Sequence, residues 1–521
     1  MKKRNVGLTF LAVASAVLLC GCGGYESMEN AQFGEIRQNF NETLDLSGSS
    51  VTADTVPQDF ELIVEAEDGS FTGNAAPFSD SGFSGGQGVD GVNQSGDSLT
   101  FIVDISSPGI YNLTFTVSTP DSGRCDNAFV DGESVGTIIA SGKGEAEDVV
   151  IENVYLEAGE RKISVEPNWG WIKYDRLKLT AAKSISDDIY NVTAGLSNPN
   201  ADDRTKSLYK FLKDIYGKYT LSGQVGDKGR ESPEYQAVKD VTGKEFAVLG
   251  LDLFDYDATA AENGIEPTAI ERAYDWYINA GGIVELHWHW HSPKGYIPDG
   301  ANWYSSFYKE SSTINLDKAM NGEDEVLYNL LIEDIDRISE QLARLRDCGV
   351  PVLFRPLHEA SGGWFWWGNC QSESYIKLYR LIYDRMTNTH GLTNIIWVWN
   401  GQSEEWYPGD DVVDIASWDI YAGEHQYSSQ SATFARCSGC TGVRKLIALS
   451  ENGCIPDPDL LKRDNSRWLY WCVWSGDFCV RWGEAVYNDQ YTEREMLKKA
   501  YDSDYTLTLD ELPDLKNYPF D

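Results

Sequence analysis

Apolar and polar positions change rhythm twice along this chain. After an apolar run over 6–20, residues 23–56 are polar, rich in Asn, Glu and Ser, and without a sustained period. From Asp59 to about Thr180, short alternating runs are broken by Gly, Asp, Asn and Ser clusters, at 62–64, 99–103, 111–117, 128–130, 162–165 and 176–179. Strands at this spacing, without helical periods between them, predict a β-sandwich of the jelly-roll kind over 57–182. A polar stretch at 183–204 reads as a linker. Beyond it, apolar strand, polar break and amphipathic helix recur to the end.

The strand candidates of this last region are 220–225, 246–253, 282–290, 352–359, 394–399, 414–421, 445–450 and 468–474. Helical patterns lie at 206–216, 268–280, 325–347, 373–389 and 493–501. Eight buried strands alternating with helices predict a (β/α)8 TIM barrel over 205–521. In such barrels the chemistry sits at the C-terminal ends of the strands.

Composition narrows the function. Asp and Glu number 81 against 43 Lys and Arg, a net charge of −38 that repels a phosphate backbone, so nucleic acid is excluded as a partner. Lys2, Lys3 and Arg4 precede an apolar run of 6–19, which suits the h-region of a secretory signal over 1–21. Leu19-Cys20-Gly21-Cys22 resembles a bacterial lipobox, which implies diacylation of Cys22 and residues 22–56 as a flexible tether. The chain is then expected outside the cytoplasm as a monomer, held at a cell-surface or periplasmic face by its lipid alone. Cys125, Cys348, Cys370, Cys437, Cys440, Cys454, Cys472 and Cys479 agree with an oxidising compartment without revealing their pairing. Cys437-Ser-Gly-Cys440 lacks a second ligand pair for zinc, so a structural disulfide or free thiols are expected there.

The candidate chemistry stands at strand ends. The fourth strand leads into His358-Glu359 and the seventh into Ser450-Glu451, so two glutamates rise to one mouth. Two carboxylates about 5 to 5.5 Å apart perform retaining glycoside hydrolysis, one as acid and one as nucleophile. Fifteen of the seventeen tryptophans follow the linker, many at strand ends, and Trp364-Phe365-Trp366-Trp367 lies in a Gly-rich loop after Glu359. Indole faces suit neutral sugar rings. His287, His289 and His291 alternate on the third strand, where a metal hydrolase would place ligands, but His358, His390 and His425 alone remain to complete such a site. The expectation is therefore no cofactor for catalysis. In the sandwich, Glu65 and Glu67 fall on one face of a strand and, with Asp175, suit a structural calcium, while Trp169 and Trp171 offer sugar platforms.

Phe354-Arg355-Pro356-Leu357-His358-Glu359 with Trp364, Ser417-Trp418-Asp419-Ile420-Tyr421, Leu449-Ser450-Glu451-Asn452-Gly453 and Tyr219-Thr220-Leu221-Ser222-Gly223-Gln224 together resemble glycoside hydrolase family 26 over 205 to about 505. Glu65-Ala66-Glu67 and Trp169-Gly170-Trp171 through Asp175 resemble carbohydrate-binding module family 35. The first resemblance implies an endo-β-1,4-mannanase acting on a β-mannan polysaccharide or oligosaccharide. It implies Glu359 as acid/base, Glu451 as nucleophile, His358 as a residue that orients the nucleophile and the sugar, Tyr421 as a hydrogen-bond partner of the nucleophile, and Trp474, Trp364, Trp303 and His287 as substrate contacts. Ser475 departs from members that carry an arginine after the tryptophan. β-1,3-Xylanases and mixed-linkage glucanases of the same family, and a surface glycan-binding lipoprotein without catalysis, are the competing readings.

Overall fold

The computed structural model describes residues 56–119, 124–140, 142, 144–168, 170–182, 185–481 and 484–520. Cys22, Trp169 and nearly all of the tether and signal segment lie outside the described residues.

The N-terminal module is two antiparallel sheets packed face to face. One runs Ala76–Ser79, Gln87–Val92, Ile172–Ala181, Gly109–Ser118, Glu147–Leu156, with Glu61–Glu65 added against Ile172–Ala181. The other runs Ser70–Thr72, Ser98–Ile105, Gly159–Pro167, Arg124–Val130, Glu133–Ala140. Strand Ser98–Ile105 shows why. Leu99, Phe101, Val103 and Ile105 are buried at every second position and the residues between them face outward, the period of a strand with one wet face. Glu65 closes its strand, but Glu67 belongs to the short 3-10 turn Ala66–Asp68, so the two carboxylates do not share a strand face as their spacing suggested.

The C-terminal domain is a closed barrel of eight parallel strands: Gly223–Val225, Val248–Asp252, Ile283–His287, Val352–Arg355, Ile395–Trp399, Ile415–Ile420, Leu446–Asn452 and Trp471–Val473. These match the eight expected positions, mostly as shorter segments. Thr220–Leu221 falls outside the barrel and pairs instead with Thr506–Leu507. The third strand stops at His287, so His289 and His291 sit in the following loop and do not share its face. Strands buried on both sides read as continuous apolar runs, as in Ile395–Trp399, which is buried throughout. Helices Asp203–Ile215, Glu325–Asp347, Ser372–Asp384 and Arg494–Asp502 wrap the outside. The helical pattern at 268–280 is Ala269–Tyr274 running into a π-helical turn, Asp275–Ala280.

The stretch read as a linker is packed onto the barrel. Ile185 and Val192 join its core, the Tyr190 hydroxyl donates to the Asn465 carbonyl at 2.6 Å, and the Ser197 amide donates to Asp414 at 2.5 Å. Gly217, at φ 79°, lies under the Tyr190 ring, which a Cβ there would meet at 2.5 Å. The module also touches the barrel's flank. The Ser134 amide donates to Gln426, Ser431 donates to the Asn153 carbonyl, and the Arg463 guanidinium stands 4.6 Å from the Tyr155 ring centre.

Cys370, Cys437, Cys440, Cys454, Cys472 and Cys479 are free thiols, all but Cys370 buried. Of the two alternatives for Cys437 and Cys440, the structure has the thiols. Among the described residues no helix is long and apolar enough to cross a membrane.

Candidate active site

Glu359 stands four residues beyond the fourth strand, which ends at Arg355 and not at Glu359 as the apolar pattern suggested. Pro356 has no amide hydrogen to continue the ladder, and Leu357 and Glu359 then take left-handed backbone angles, φ 53° and 54°. Non-glycine residues at such angles are strained by about 1–3 kcal/mol each and persist where the surroundings over-determine them. At Glu359, Asn400, just past the fifth strand, does so. The Glu359 amide donates to both the Asn400 carbonyl, at 2.8 Å, and its side-chain oxygen, at 2.9 Å. The Asn400 side-chain nitrogen in turn reaches Asp419 and Ser450 on the sixth and seventh strands, at 2.9 and 2.8 Å. Three strands therefore fix one glutamate.

Glu451 lies within the seventh strand beside a register shift in its pairing with the sixth, an irregularity of the kind that re-aims side chains. Its two oxygens are separately held. Arg355 Nη2 donates to Oε1 at 2.5 Å and the Tyr421 hydroxyl donates to Oε2 at 2.6 Å. Arg355 is fully buried and also donates to Glu285 at 2.8 Å and Asp419 at 3.0 Å, so one guanidinium joins strands three, four, six and seven. Single oxygens of Glu359, Asp419 and Glu451 lie within 4.8 Å of one another. So close an approach agrees with a retaining pair, whose carboxyl groups stand about 5 to 5.5 Å apart.

The two glutamates have opposite surroundings. Burial pushes the Glu359 carboxyl well above the usual range, and the nearby charges of Glu451 and then Asp419 push it further. Glu359 is thus poised to hold a proton, while Glu451 is paired with a guanidinium. Trp364 Nε1 donates to Glu359 Oε2 at 2.9 Å, a hydrogen bond that favours the anion and works against these effects. Gly362 makes room for that indole, whose ring a Cβ would meet at 2.0 Å. Glu359 must be protonated to give its proton to a leaving group, so kcat/KM falls as pH rises through the Glu359 pKa, and this alkaline limb lies well above 4.5. Trp364→Phe removes a bond to the charged form, so the limb shifts to higher pH; a pH–rate profile of the two proteins checks it.

The other expected residues surround this pair. His358 is buried, with Nε2 3.1 Å from His289 Nε2, and burial followed by the charges of His289 and Arg355 holds it far below the usual imidazole range, hence neutral. Burial opposes charge on His287 too, but Asp252 and Glu285 on either side outweigh it and carry its imidazole up to about 9. The Trp474 ring lies 5.3 Å from that of His287, and Tyr421, 43% exposed, packs on Phe478. Trp303 is more remote, resting on His291, which is tied to Asp257 behind the cleft. In the module, Trp171 is 56% exposed at φ 67°, its amide held by Asn93. Asp175 is buried and converges with Glu65 on Ser84.

Sequence reasoning missed Asn400, Asp419, Glu285 and the clamp formed by Arg355. A charged residue inside an otherwise apolar strand, as in Phe354-Arg355 and Val284-Glu285-Leu286, was the available signal.

Comparison with known proteins gives a match of residues 197–511 to the model of glycosyl hydrolase family 26 and of residues 62–182 to that of carbohydrate binding module family 35. The mannan endo-1,4-beta-mannosidase of Thermothelomyces thermophilus is 37% identical over 450 residues, covering 86% of this chain and 90% of that one. Mannan endo-1,4-beta-mannosidase B of Piromyces is 33% identical over 460 residues, 87% of this chain and 77% of that one. Among solved structures, the GH26-CBM35 beta-(1,4)-mannanase of Podospora anserina superposes with a TM-score of 0.60 at 34% identity, covering 88% of this chain and 100% of that chain.

Proposed function

The chain belongs to glycosyl hydrolase family 26 and carries a family 35 carbohydrate-binding module, and from that membership we propose that it hydrolyses internal β-1,4-mannosidic bonds of mannan, galactomannan or glucomannan with retention. The observation that carries the proposal is the approach of Glu359 and Glu451 to within 4.8 Å in contrasting electrostatic surroundings. Glu359 passes its proton to the glycosidic oxygen as a Glu451 oxygen bonds to the anomeric carbon and the carbon–oxygen bond of the leaving chain breaks. A water then attacks the same carbon, gives its proton to Glu359 and frees Glu451. Tyr421 steadies the nucleophile, and neutral His358 packs its ring on Phe365 and Trp367. Trp474 is assigned to the sugar being cleaved and Trp364 to the leaving side, with Trp303 a more distant contact and His287 acting from its buried place against Trp474. Side chains supply both proton transfer and nucleophile, so the reaction needs no cofactor.

The purified mature protein, incubated with mannan, galactomannan, β-1,3-xylan and barley glucan, tests the substrate. Oligosaccharides of mixed length from the mannans, first released as the β-anomer in proton NMR, are expected. Rapid cleavage of the xylan or glucan alone would replace the mannan assignment.

The proposal extends to the module. Calcium at Glu65, Glu67 and Asp175 is supported by Ser84, whose hydroxyl has one proton for Glu65 and Asp175 at 2.6 and 2.7 Å, and by Glu67 Oε2, which is buried without a partner. Hard carboxylate oxygens of this kind suit the ion. At a hundredfold excess over its dissociation constant, calcium stabilises by about 2.7 kcal/mol. The module's melting transition is accordingly expected to rise with Ca²⁺ and to lose that response in Glu67→Gln. Trp171 and Trp169 are the proposed sugar contacts there, and docking on the polymer raises local substrate concentration at the cleft.

Export and lipid anchoring through Cys22, supported by Lys2, Lys3 and Arg4, the apolar run after them and Leu19-Cys20-Gly21-Cys22, complete the proposal together with a monomeric state. Palmitate incorporation lost in Cys22→Ala, and sedimentation of the unlipidated protein, test them.

A further inference from the structure

A second cluster of ligand atoms lies beside the catalytic pair, at Asp252, His287 and His289. We propose that Asp252, His287 and His289 form a binding site for a divalent first-row transition ion, and that its occupancy shuts off the sugar cleft. One ligand atom from each residue lies within 4.8 Å of the others. Asp252 Oδ2 is 2.6 Å from His289 Nδ1 and 3.8 Å from His287 Nε2. His287 is fully buried and its Nε2 has no hydrogen-bond partner, so a polar atom faces Asp252 across the cluster, too far from it for a hydrogen bond.

The outward nitrogens are already engaged. His287 Nδ1 lies 3.1 Å from Glu285 Oε2, and His289 Nε2 lies 3.1 Å from His358 Nε2. Metal-bound imidazoles are held in this way, the distal N–H donating to a carboxylate or another acceptor that fixes the ring. Two imidazole nitrogens and one carboxylate oxygen are ligands for Zn²⁺ and its neighbours, with a fourth position left for water. Asp252 and His289 side chains keep 10% and 12% of their surface open, which gives the ion a way in. On binding, the ion takes the place of any proton on His287 Nε2, which is released to solvent.

The Trp474 ring lies 5.3 Å from that of His287 and 5.9 Å from that of His289, so an ion here sits against the indole assigned to the sugar and competes for the same space. The ion is therefore an inhibitor and not a catalyst.

Equilibrium dialysis of the full chain against Zn²⁺ alone, with Co²⁺ as a spectroscopic probe, measures the site. The chain carrying Cys437→Ser and Cys440→Ser removes the closely spaced thiol pair from the comparison. One equivalent is expected, with a tetrahedral Co²⁺ spectrum, at least tenfold weaker binding in both His289→Gln and Asp252→Asn, and displacement of the ion by mannohexaose. Inhibition of galactomannan hydrolysis by Zn²⁺ is expected to be reversed by EDTA. Circular dichroism shows whether each variant is folded, and the folded one decides. Absence of saturable binding, or binding unchanged in a folded His289→Gln or Asp252→Asn chain, overturns the proposal. These binding readouts do not depend on which polysaccharide the enzyme cuts.

Discussion

Glu451→Gln is expected to lower kcat on galactomannan by about 10⁴-fold or more, roughly 5.4 kcal/mol of transition-state stabilisation, while leaving polymer binding and folding intact. The amide is isosteric and keeps an oxygen that Arg355 or Tyr421 can reach, but it cannot form the covalent glycosyl ester. Glu359→Ala fails differently. Loss of a general acid costs about 10²- to 10⁴-fold with a poor leaving group, yet an aryl mannoside with an acidic phenol needs no protonation to depart. In that variant the first step survives and the second, which needs Glu359 as base, does not, so a protein adduct of one glycosyl unit accumulates and is visible by intact mass. The wild-type chain shows no such build-up, and Glu451→Gln shows neither adduct nor turnover. Equal activity of either variant with the wild type would remove the carboxylate pair from the reaction.

That contrast depends on placement, and placement was only partly legible in the chain. Glu451 could be found because it ends an apolar run, and a barrel delivers such residues to its mouth. Glu359 could be found by its neighbours but not by its strand, because Pro356 ends the ladder and the left-handed turn at Glu359 is held by Asn400, 41 residues away. The same limit applies to the histidines. Alternation at 287, 289 and 291 mimics a strand face, but the ladder stops at His287, and Asp252 and Asp257 draw His289 and His291 separately. In the sandwich, the long half-buried strands announced themselves through their period of two. Ser70–Thr72 and Ala76–Ser79 are short and largely exposed, and so carry no such period. Local pattern therefore reports elements that bury a face. It is silent on contacts that exist only after the barrel has closed.

Arg355 is the sharpest case of such a contact. Arg355→Met is expected to destabilise the barrel by about 3–5 kcal/mol in chemical denaturation, because it leaves Glu285, Asp419 and Glu451 in a buried site without their shared cation. It is also expected to abolish hydrolysis, since Glu451 loses the guanidinium that orients one of its two oxygens. Stability and catalysis can then be separated. Adding Glu285→Gln and Asp419→Asn to Arg355→Met removes two of the orphaned charges, and replacing a buried ionic set by neutral groups of similar volume is often close to neutral. The triple variant should therefore regain much of the lost denaturation free energy and none of the activity. If activity returned with stability, Arg355 would be a structural residue whose effect on the nucleophile passes through the fold. If neither returned, its bonds to the third and sixth strands would be holding the barrel's geometry directly, and the ion pair with Glu451 would be a consequence of that geometry.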